Sequence, residues 1–295
     1  MKMENRVLVI QKAGEHLANR EYRESLSIKR AFDKLGVHCM VWGKGYPTFK
    51  IPFEQMMVGY NIIIVLENYD FDWIPKFDKF KGIVVFWSID GHLILDKHKE
   101  FVRGNKIDLI LNSNIDCVGS WDGFNQESLW FPNAFDEDLI KPIPTQKKIH
   151  RIGFCGSKHA SREEVMDKVD LKLKEINHSI KRDIFVIGDE MVKAINSYLI
   201  HFNYNIKGDI NYRTFETLGC QTALMTNYTN GLEKLFDLEK EMVVYQDEED
   251  MIMKAYESVT DIAKTVSISR NGHLRVLSDH TYTVRMKHLL QAISS

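Results

Sequence analysis

The chain of 295 residues has little of several residue types, and each shortage excludes a class of protein. There are four cysteines and no Cys-x-x-Cys spacing, so we expect buried free thiols and neither a disulfide framework nor a zinc site. No apolar run approaches the ~20 residues that span a bilayer, and the apolar stretch near the amino terminus is too short for a signal peptide. We therefore expect a cytoplasmic protein with no membrane span.

An excess of charge of one sign is also lacking, because the formal net charge is −2. The global basic character of a nucleic-acid-binding protein is thus missing. Only six prolines and no low-complexity tract leave little room for disorder. The content of 44% hydrophobic and 27% charged residues is ordinary for a globular protein, and the length predicts two domains.

What is present is an alternation of short apolar runs with segments of helical periodicity. Strands are predicted at 6–10, 37–42, 61–67, 82–87 and 108–113. These runs are continuously apolar, which is typical of parallel strands covered by helices on both faces. Residues 17–35 show helical spacing and stop at Gly36. The first half is therefore predicted to be a doubly wound α/β domain.

The alternation is interrupted once and then restarts. Residues 130–148 hold three of the six prolines and are interpreted as a linker. Further strands are predicted at 151–157, 183–189, 222–227 and 241–245, and helices in the last 45 residues. The expected organisation is an N-terminal Rossmann-like domain (1–135), a linker (136–150), a second Rossmann-like domain (151–280) and a C-terminal helix (281–295) that is free to cross back to the first domain. Two such domains facing one another place a cleft between the carboxyl ends of their strands.

Two strand–glycine–helix junctions in the second half are candidate anion sites. "FCGSKHASR" joins a strand to a helix and contributes Gly156, Ser157, Lys158 and Arg162. Glycine permits close backbone approach, and a helix amino terminus offers free N–H groups to an anion. The alternative is a tight turn with solvated basic side chains. "VIGDE" is the second such junction and contains Gly188, on the same edge of a parallel sheet.

The segment "KGDINYRTFE" is the third candidate. It places Asn211, Tyr212, Arg213 and Thr214 in a loop and first helical turn, with Glu216 following. Backbone N–H groups and Arg213 suit a pyrophosphate, and Glu216 suits the hydroxyls of a ribose. The alternative is an ordinary i,i+3 ion pair between Arg213 and Glu216, worth only ~0.2–0.5 kcal/mol. The local pattern leaves both interpretations open.

Several motifs of the second half together resemble the CgeB-like (spore-maturation-type) glycosyltransferases. That family has an Arg-x-Phe-Glu segment, an acidic helix after Tyr-x-Asp, and a terminal His-Thr-Tyr followed by Arg. The corresponding residues here are Arg213–Glu216, Tyr245–Asp250, His280–Tyr282 and Arg285. "WFPNAFD" (130–136) resembles the family's entry into the linker, and "FCGS" resembles the start of its second domain. The resemblance covers about residues 130–290, and the N-terminal half matches only as a generic acceptor-side domain.

This resemblance implies a GT-B fold, with two facing Rossmann-like domains and a nucleotide-diphosphate sugar, by family precedent a UDP-sugar, held mainly by the second domain. Glu216 would bind the donor ribose, and Arg213 with the backbone of 211–214 would face the diphosphate. Ser157, Lys158 and Arg162 would line the other side. Related retaining enzymes carry two glutamates separated by seven residues, but the matching position here is Gly208. The stereochemical outcome therefore stays open.

The catalytic residues are expected in the first domain, because the donor motifs all follow residue 150. "FWSIDGHLILDKH" leaves a predicted strand and presents Asp90 and His92 in a turn. Either side chain suits a general base that takes the proton of an acceptor hydroxyl. The alternative is that Asp90 caps the next helix and His92 is polar surface. After the first strand, Glu15, His16 and Arg20 are acceptor-side candidates, or simply a solvated helix start.

No metal and no cofactor beyond the nucleotide-sugar co-substrate is expected. Neither Asp90 nor His92 sits in an Asp-x-Asp pair, the arrangement by which many such enzymes hold a divalent cation. The acidic run at 247–250 is interpreted as the start of a surface helix. Positive side chains and helix dipoles would then stabilise the leaving diphosphate.

The leading hypothesis is a metal-independent glycosyltransferase acting on a glycan, a protein or modified DNA. One alternative is a phage-type DNA glycosyltransferase acting on hydroxymethylated bases, for which a basic rim would be needed. Candidate rim residues are Lys97, Lys99, Arg103, Lys106, Lys141, Lys147, Lys148 and Arg151. Another is a non-catalytic two-domain protein that binds a nucleotide sugar, and a third is a different enzyme of this fold, such as an epimerase or phosphorylase. The sequence leaves the sugar and the oligomeric state open.

Overall fold

The computed structural model describes residues 4–294, which form α-helices and parallel strands in alternation. The strands are β1 (Arg6–Ile10), β2 (His38–Trp42), β3 (Ile62–Val65), β4 (Ile83–Ser88), β5 (Leu109–Asn112), β6 (Glu127–Trp130), β7 (His150–Gly156), β8 (Lys181–Ile184), β9 (Tyr198–Phe202), β10 (Ala223–Asn227) and β11 (Val243–Tyr245). The helices are α1 (Glu24–Lys34), α2 (Phe53–Met56), α3 (Gly91–Arg103), α4 (Ala160–Leu173), α5 (Gly188–Ser197), α6 (Tyr212–Gly219), α7 (Leu232–Leu235), α8 (Glu248–Thr260), α9 (Ile262–Asp279) and α10 (Tyr282–Ala292). Short 3-10 helices lie at Leu17–Tyr22, Pro47–Lys50, Ile115–Ser120 and Lys174–Ile176.

The chain divides into two compact units. The first unit comprises the described residues up to Asn133 together with those from Tyr282 onward, and the second comprises Ala134–Thr281. The segment 136–150, expected as a linker, packs on the second unit: the Ile143 N–H donates to Asn196 Oδ1 at 2.9 Å, and Ile140 is buried. The last helix, α10, belongs to the first unit and packs against α1.

The first unit is built on a six-stranded parallel sheet in the order β2-β1-β3-β4-β5-β6. Val7–Ile10 and Ile63–Val65 are completely buried, because helices cover both faces of the sheet. The helical segment predicted at 17–35 is a 3-10 helix followed by α1, and it ends as predicted at Gly36, whose φ of +69° is the left-handed conformation of a helix stop. The chain order reverses between β1 and β3, which is this sheet's topological switch point.

The second unit is built on a five-stranded parallel sheet in the order β11-β10-β9-β7-β8. Its switch point lies between β7 and β9, since β8 is added on one side of β7 and β9 on the other. In open α/β sheets, ligands bind outside the carboxyl ends of the strands at this place. The loops after Gly156 and Phe202 are therefore where a ligand of the second unit is expected to bind.

Three elements differ from the sequence-based expectation. Strands β6 and β9 were not predicted, and the strand predicted at 183–189 is displaced to Lys181–Ile184. Strand β9 was missed because it follows α5 without an intervening residue, so no loop separates the two. Strand β8 ends early because Phe185 adopts a left-handed φ of +57°, which a ladder cannot continue.

The cysteines and the length of the helices were also subjects of prediction. The four cysteines are free and buried, as predicted. Burial raises the pKa of the Cys155 thiol to about 11, so it is a packing side chain and not a nucleophile at neutral pH. None of the helices within residues 4–294 is long and apolar enough to cross a lipid bilayer.

Candidate functional site

The carboxyl edge of the second sheet gathers the candidate donor residues. Strand β7 ends at Gly156, and the loop that follows carries Ser157 and Lys158 into α4, where Arg162 lies in the first turn. Helix α6 begins after Asn211 at the same edge and carries Arg213 and Glu216. The sequence-predicted donor residues of two separate segments, the loop after β7 and the start of α6, are thus brought to the switch point between β7 and β9.

Arg213 joins two of these segments. Its Nε donates to the carbonyl oxygen of Cys155 at 3.0 Å, and its Nη1 donates to the Glu216 carboxylate. The i,i+3 ion pair considered from the sequence is therefore formed, with Arg213 and Glu216 23% and 13% exposed. Burial opposes the charged guanidinium, but the nearby Glu216 carboxylate outweighs it and raises the pKa of Arg213. The pair holds the guanidinium at the end of β7.

Arg162 is the second cation of this edge, and it donates hydrogen bonds to neutral groups. Nη1 donates to Ser157 Oγ at 2.9 Å, and Nε donates to the Tyr204 carbonyl oxygen at 3.3 Å. Burial and the positive charge of Arg213 lower the pKa of the Arg162 guanidinium. The two arginines thus repel one another across the switch point, and a bound anion would relieve that repulsion. Lys158 is exposed and pairs with Glu163 at 3.5 Å.

The other predicted donor residues have different environments. Gly188 is buried at the start of α5, with a φ of +61°. Thr214 is completely buried, and its N–H donates to the Asn211 carbonyl oxygen at 3.1 Å, so this N–H is already used inside the first turn of α6. Asn211 donates from Nδ2 to Asn203 Oδ1 at 3.3 Å, and Tyr212 is partly buried. Thr214 is therefore buried in the first turn of α6, and the donor-binding role predicted for its backbone stays a prediction.

A buried polar network beneath this edge was missed from the sequence. Asn203 and Asn205 follow β9 and are 1% and 2% exposed. Asn205 Nδ2 donates to Thr226 Oγ1 at 3.2 Å and to Thr229 Oγ1 at 3.0 Å, and Asn203 Nδ2 also reaches Thr226 at 3.2 Å. Buried networks of satisfied amides hold loops rigidly. The alternation of asparagines in "HFNYN" was the signal, but it needed the missed strand β9 to be interpreted.

His201 in β9 locks the strand end on which Arg213 rests. Its Nε2 accepts the Cys155 N–H at 3.0 Å, so Nδ1 carries the proton and donates to Thr217 Oγ1 at 2.5 Å. Burial, with the nearby charge of Arg213, lowers the pKa of His201 to about 3. The imidazole is therefore neutral at physiological pH and acts as a structural side chain.

In the first unit, Asp90 and His92 lie where β4 meets α3. Asp90 occupies the position before the helix, and its side chain makes no capping hydrogen bond to α3. Burial raises the pKa of the Asp90 carboxyl, opposed by a hydrogen bond from Tyr69. The capping role considered from the sequence is thus not what the carboxylate does. His92 follows in the first turn of α3 and is partly buried.

The backbone of Asp90 is fixed by Asn68, which sequence reasoning missed. Asn68 Oδ1 accepts the N–H of Ile89 at 2.9 Å and that of Asp90 at 3.2 Å. The Asn68 carbonyl oxygen accepts from His98 Nε2 at 3.1 Å, and Ser88 Oγ donates to His98 Nδ1 at 2.8 Å. Burial lowers the pKa of His98 to about 4, so this imidazole is neutral as well. The chain of hydrogen bonds holds the Asp90 turn in one position.

The two buried neutral imidazoles, one in each unit, predict acid lability. Their folded pKa values lie below the unfolded value of ~6.5, so the unfolded state binds more protons and stability falls as pH drops below about 6.5. Each should lower the free energy of unfolding by about 1.4 kcal/mol per pH unit. Urea unfolding between pH 7 and pH 5 measures the slope. His201→Gln should make the fall of the unfolding free energy with pH shallower by the contribution of one imidazole, whereas the exposed control His159→Gln should leave it unchanged. Equal slopes in all three proteins would contradict the prediction.

The acceptor-side candidates lie in the exposed segment after β1. Glu15 pairs with Lys12 at 3.2 Å, and its side chain is 77% exposed. His16 precedes a 3-10 helix and is exposed. Arg20 donates from Nε to the Gly14 carbonyl oxygen at 3.3 Å. The structure places these three together, and their acceptor role stays a prediction.

The basic residues considered for DNA are partly engaged within their own units. Lys106 Nζ donates to the Gly82 carbonyl oxygen at 2.7 Å, Lys97 donates to that of Tyr69, and Arg103 lies 4.9 Å from the centre of the Phe124 ring. Lys148 Nζ donates to Thr222 Oγ1 at 2.7 Å. The exposed basic residues of this set are Lys97, Arg103, Lys141, Lys147, Lys148 and Arg151, whereas Lys99 and Lys106 are partly buried.

Two Asp-x-Asp pairs occur elsewhere in the sequence, at 70–72 and 136–138, so the position of Asp90 and His92 outside such a pair does not by itself support metal independence. Asp70 pairs with Lys44 at 3.3 Å, and Asp136 is buried and accepts the Asp138 N–H at 3.0 Å. Within residues 4–294, no group of three or more His, Cys, Asp or Glu side chains is placed to hold a metal ion. Metal independence stays a proposal that only an experiment decides.

Comparison with protein families gives one match. The model of the glycosyl transferase-like family matches residues 137–291, more than half of the chain. This range contains "FCGS" and the motifs from Arg213 to Arg285 on which the resemblance rested, but not "WFPNAFD" (130–136), and it does not confirm the CgeB-like subfamily. A search of curated proteins finds no match.

Solved structures resemble the chain over almost its whole length. An alpha-glucosyltransferase in complex with UDP and a 13-mer DNA containing a HMU base has a TM-score of 0.70 at 12% identity, covering 99% of this chain and 100% of the other. Sucrose-phosphate synthase from Thermosynechococcus elongatus has 0.67 at 10%, covering 98% and 99%. Anabaena HepE in complex with UDP-glucose has 0.64 at 10%, covering 98% and 99%. The two parallel sheets and these likenesses show the two-domain, Rossmann-like GT-B fold that was predicted.

Proposed function

The chain belongs to the glycosyl transferase-like family, and on that premise we propose that it transfers a sugar from a UDP-sugar to an acceptor hydroxyl without a metal ion. The observation that carries the proposal is the pair of arginines at the switch point of the second sheet. Arg213 pairs with the Glu216 carboxylate, whereas Arg162 donates to Ser157 Oγ and to the Tyr204 carbonyl oxygen, and the charge of Arg213 lowers the pKa of the Arg162 guanidinium. A diphosphate supplies the missing negative charge.

The roles of the donor residues follow from these contacts. Arg162 and Arg213 would donate to the phosphate oxygens, with Ser157 held beside them by its bond to Arg162. When a diphosphate draws the Arg213 guanidinium, the Glu216 carboxylate is released to accept from the ribose hydroxyls. The two interpretations of Arg213 and Glu216 that the sequence left open would then be successive states of one site. The two residues form an ion pair before the donor binds, and each contacts the donor afterwards.

The reaction would proceed by attack of the acceptor oxygen on the anomeric carbon. The new glycosidic C–O bond forms, and the bond between the anomeric carbon and the β-phosphate oxygen breaks. The leaving diphosphate keeps the electron pair and is stabilised by the two arginines. The proton of the acceptor hydroxyl goes to the Asp90 carboxylate, or to His92 if that side chain is the base. Gly208 stands where related retaining enzymes carry a glutamate, so the anomeric outcome is left to measurement.

DNA is a second candidate acceptor. The similar alpha-glucosyltransferase is described as binding UDP and DNA with a HMU base, and Lys141, Lys147 and Arg151 are exposed here. Transfer to duplexes that contain hydroxymethylated bases, set against unmodified duplexes, tests this alternative. Binding of UDP-glucose with no transfer to DNA, glycan or water would instead favour the non-catalytic binding protein.

The central test is the thermal unfolding of the protein with UDP and UDP-sugars. A ligand at 100 times its Kd stabilises by about 2.7 kcal/mol, so an upward shift of Tm is expected. The variant Arg213→Gln should lose most of that shift, and the control Lys234→Gln, on α7, should keep it. No shift with UDP, ADP, GDP, CDP or dTDP would overturn the proposal.

Turnover in excess EDTA tests metal independence. UDP release from UDP-glucose is expected to continue at an unchanged rate, because the arginines supply the positive charge at the leaving group. Loss of UDP release with EDTA, restored by magnesium or manganese, would show that a cation is required. Asp70 and Asp72 would then be the first residues to replace.

A further inference from the structure

Phe185 is an aromatic residue whose side chain is exposed to solvent. It follows β8 at the carboxyl edge of the second sheet, and it is 69% exposed. Most large apolar side chains of this unit are buried, because exposure of apolar surface to water costs free energy. The exposed ring lies at the edge where the donor residues gather, so its face is accessible to a ligand.

The backbone of Phe185 is strained as well. Its φ of +57° lies in the left-handed region, where the Cβ of an ordinary residue is crowded. The other non-glycine residues with positive φ within residues 4–294 are Asn177, Lys207 and Gln221, and asparagine tolerates this conformation best. Phe185 is the aromatic one among them. Strain of this kind concentrates at sites of function, where the surrounding structure holds it in place.

One hydrogen bond places Phe185 relative to the arginines. Its N–H donates to the Gly156 carbonyl oxygen at 3.0 Å, while Arg213 Nε donates to the carbonyl oxygen of the preceding residue, Cys155, also at 3.0 Å. Successive carbonyls of a strand point to opposite sides, so Arg213 and Phe185 flank the end of β7. Two interstrand spacings separate them, on the order of 10 Å. A nucleoside diphosphate spans such a distance between its β-phosphate and its base.

We propose that Phe185 is the platform on which the nucleobase of the donor stacks. The inference rests on the proposed function and deepens it: the arginines hold the diphosphate and the phenyl ring holds the base. The left-handed backbone turns the ring out of the ladder and away from the core, where a base can lie against its face. Every base has a π-face, so stacking supplies affinity without choosing uracil over the other bases.

The test is the Kd of UDP and of inorganic pyrophosphate, measured by calorimetry for the wild type and Phe185 variants. Stacking of one base contributes roughly 5- to 150-fold in affinity. Phe185→Ala should weaken UDP by a factor in that range and leave pyrophosphate unchanged. Phe185→Trp should keep or improve UDP binding. Phe185→Gly relieves the strained φ but removes the ring, and it should weaken UDP as much as alanine does.

Two controls separate the possible failures. Leu171→Ala removes another exposed apolar side chain, 67% exposed on α4, and should leave the Kd of UDP unchanged. If the wild type binds UDP and Phe185→Ala binds it equally well, the platform is wrong and the proposed function stands. Equal loss of UDP and pyrophosphate would show a distorted loop and would also overturn the platform. If the wild type binds no nucleoside diphosphate, both proposals fall.

Discussion

Replacing Asp90 with asparagine should lower turnover by roughly 10²- to 10⁴-fold, the usual contribution of a general base, while the Kd of UDP stays near its wild-type value. The separation is expected because Asp90 belongs to the first unit, whereas the arginine pair belongs to the second. The amide is nearly isosteric with the carboxyl but cannot take a proton. Turnover is measured with the acceptor that the wild type uses.

Of the two candidate bases we favour Asp90. Its carboxylate is not used to cap α3, and burial raises the pKa of the carboxyl above its usual range, which makes it a better proton acceptor. Asn68 fixes its backbone through the N–H groups of Ile89 and Asp90. Because the active form is the deprotonated carboxylate, turnover should fall as pH drops through this raised pKa.

Asp96→Asn is the matched control, since Asp96 is an exposed carboxylate on the same helix. It should leave turnover unchanged. His92→Ala tests the other candidate, and a large loss there with Asp90→Asn near the wild-type rate would assign the base to His92. Near-normal rates for both variants in a folded protein would refute this site, and Glu15 or His16 would be tested next.

Replacing Glu216 with alanine should weaken the binding of UDP but not that of pyrophosphate. UDP should bind about 10- to 150-fold more weakly, which corresponds to the loss of hydrogen bonds to a charged group. Pyrophosphate should bind at least as tightly as before, because Arg213 no longer shares its charge with Glu216. Weakened pyrophosphate would contradict the arrangement, since it would mean that Glu216 serves mainly to position Arg213.

A deoxy ligand isolates the ribose contact. The wild type should prefer UDP over 2′,3′-dideoxyuridine diphosphate, and Glu216→Ala should bind the two with similar Kd. Glu249→Gln, an exposed carboxylate in the first turn of α8, is the control and should keep the preference. A preference that survives in Glu216→Ala would remove the ribose role. Arg213→Gln should weaken UDP and pyrophosphate together, because it removes a diphosphate contact.

The sequence by itself determined the class of fold and, at the coarser level, the glycosyltransferase family, whereas the CgeB-like subfamily is not confirmed. Continuous apolar runs such as 6–10 and 82–87 occur where strands are buried on both faces, and this burial is a property of the local sequence. The i,i+3 spacing of Arg213 and Glu216 placed both on one helix face, because helical geometry is local. The four cysteines could likewise be identified as buried thiols from their apolar surroundings and their spacing.

Only the tertiary structure decided which distant residues share a site. Arg162 and Arg213 are brought together by the order of the strands, β9-β7-β8, and β9 was not recognised in the sequence because it follows α5 directly, with no loop between them. The left-handed conformation of Phe185 was not predicted either, because a phenylalanine in an apolar run predicts a continuing strand. Electrostatic coupling and backbone strain both arise from neighbours far apart in the chain, so local patterns do not contain them.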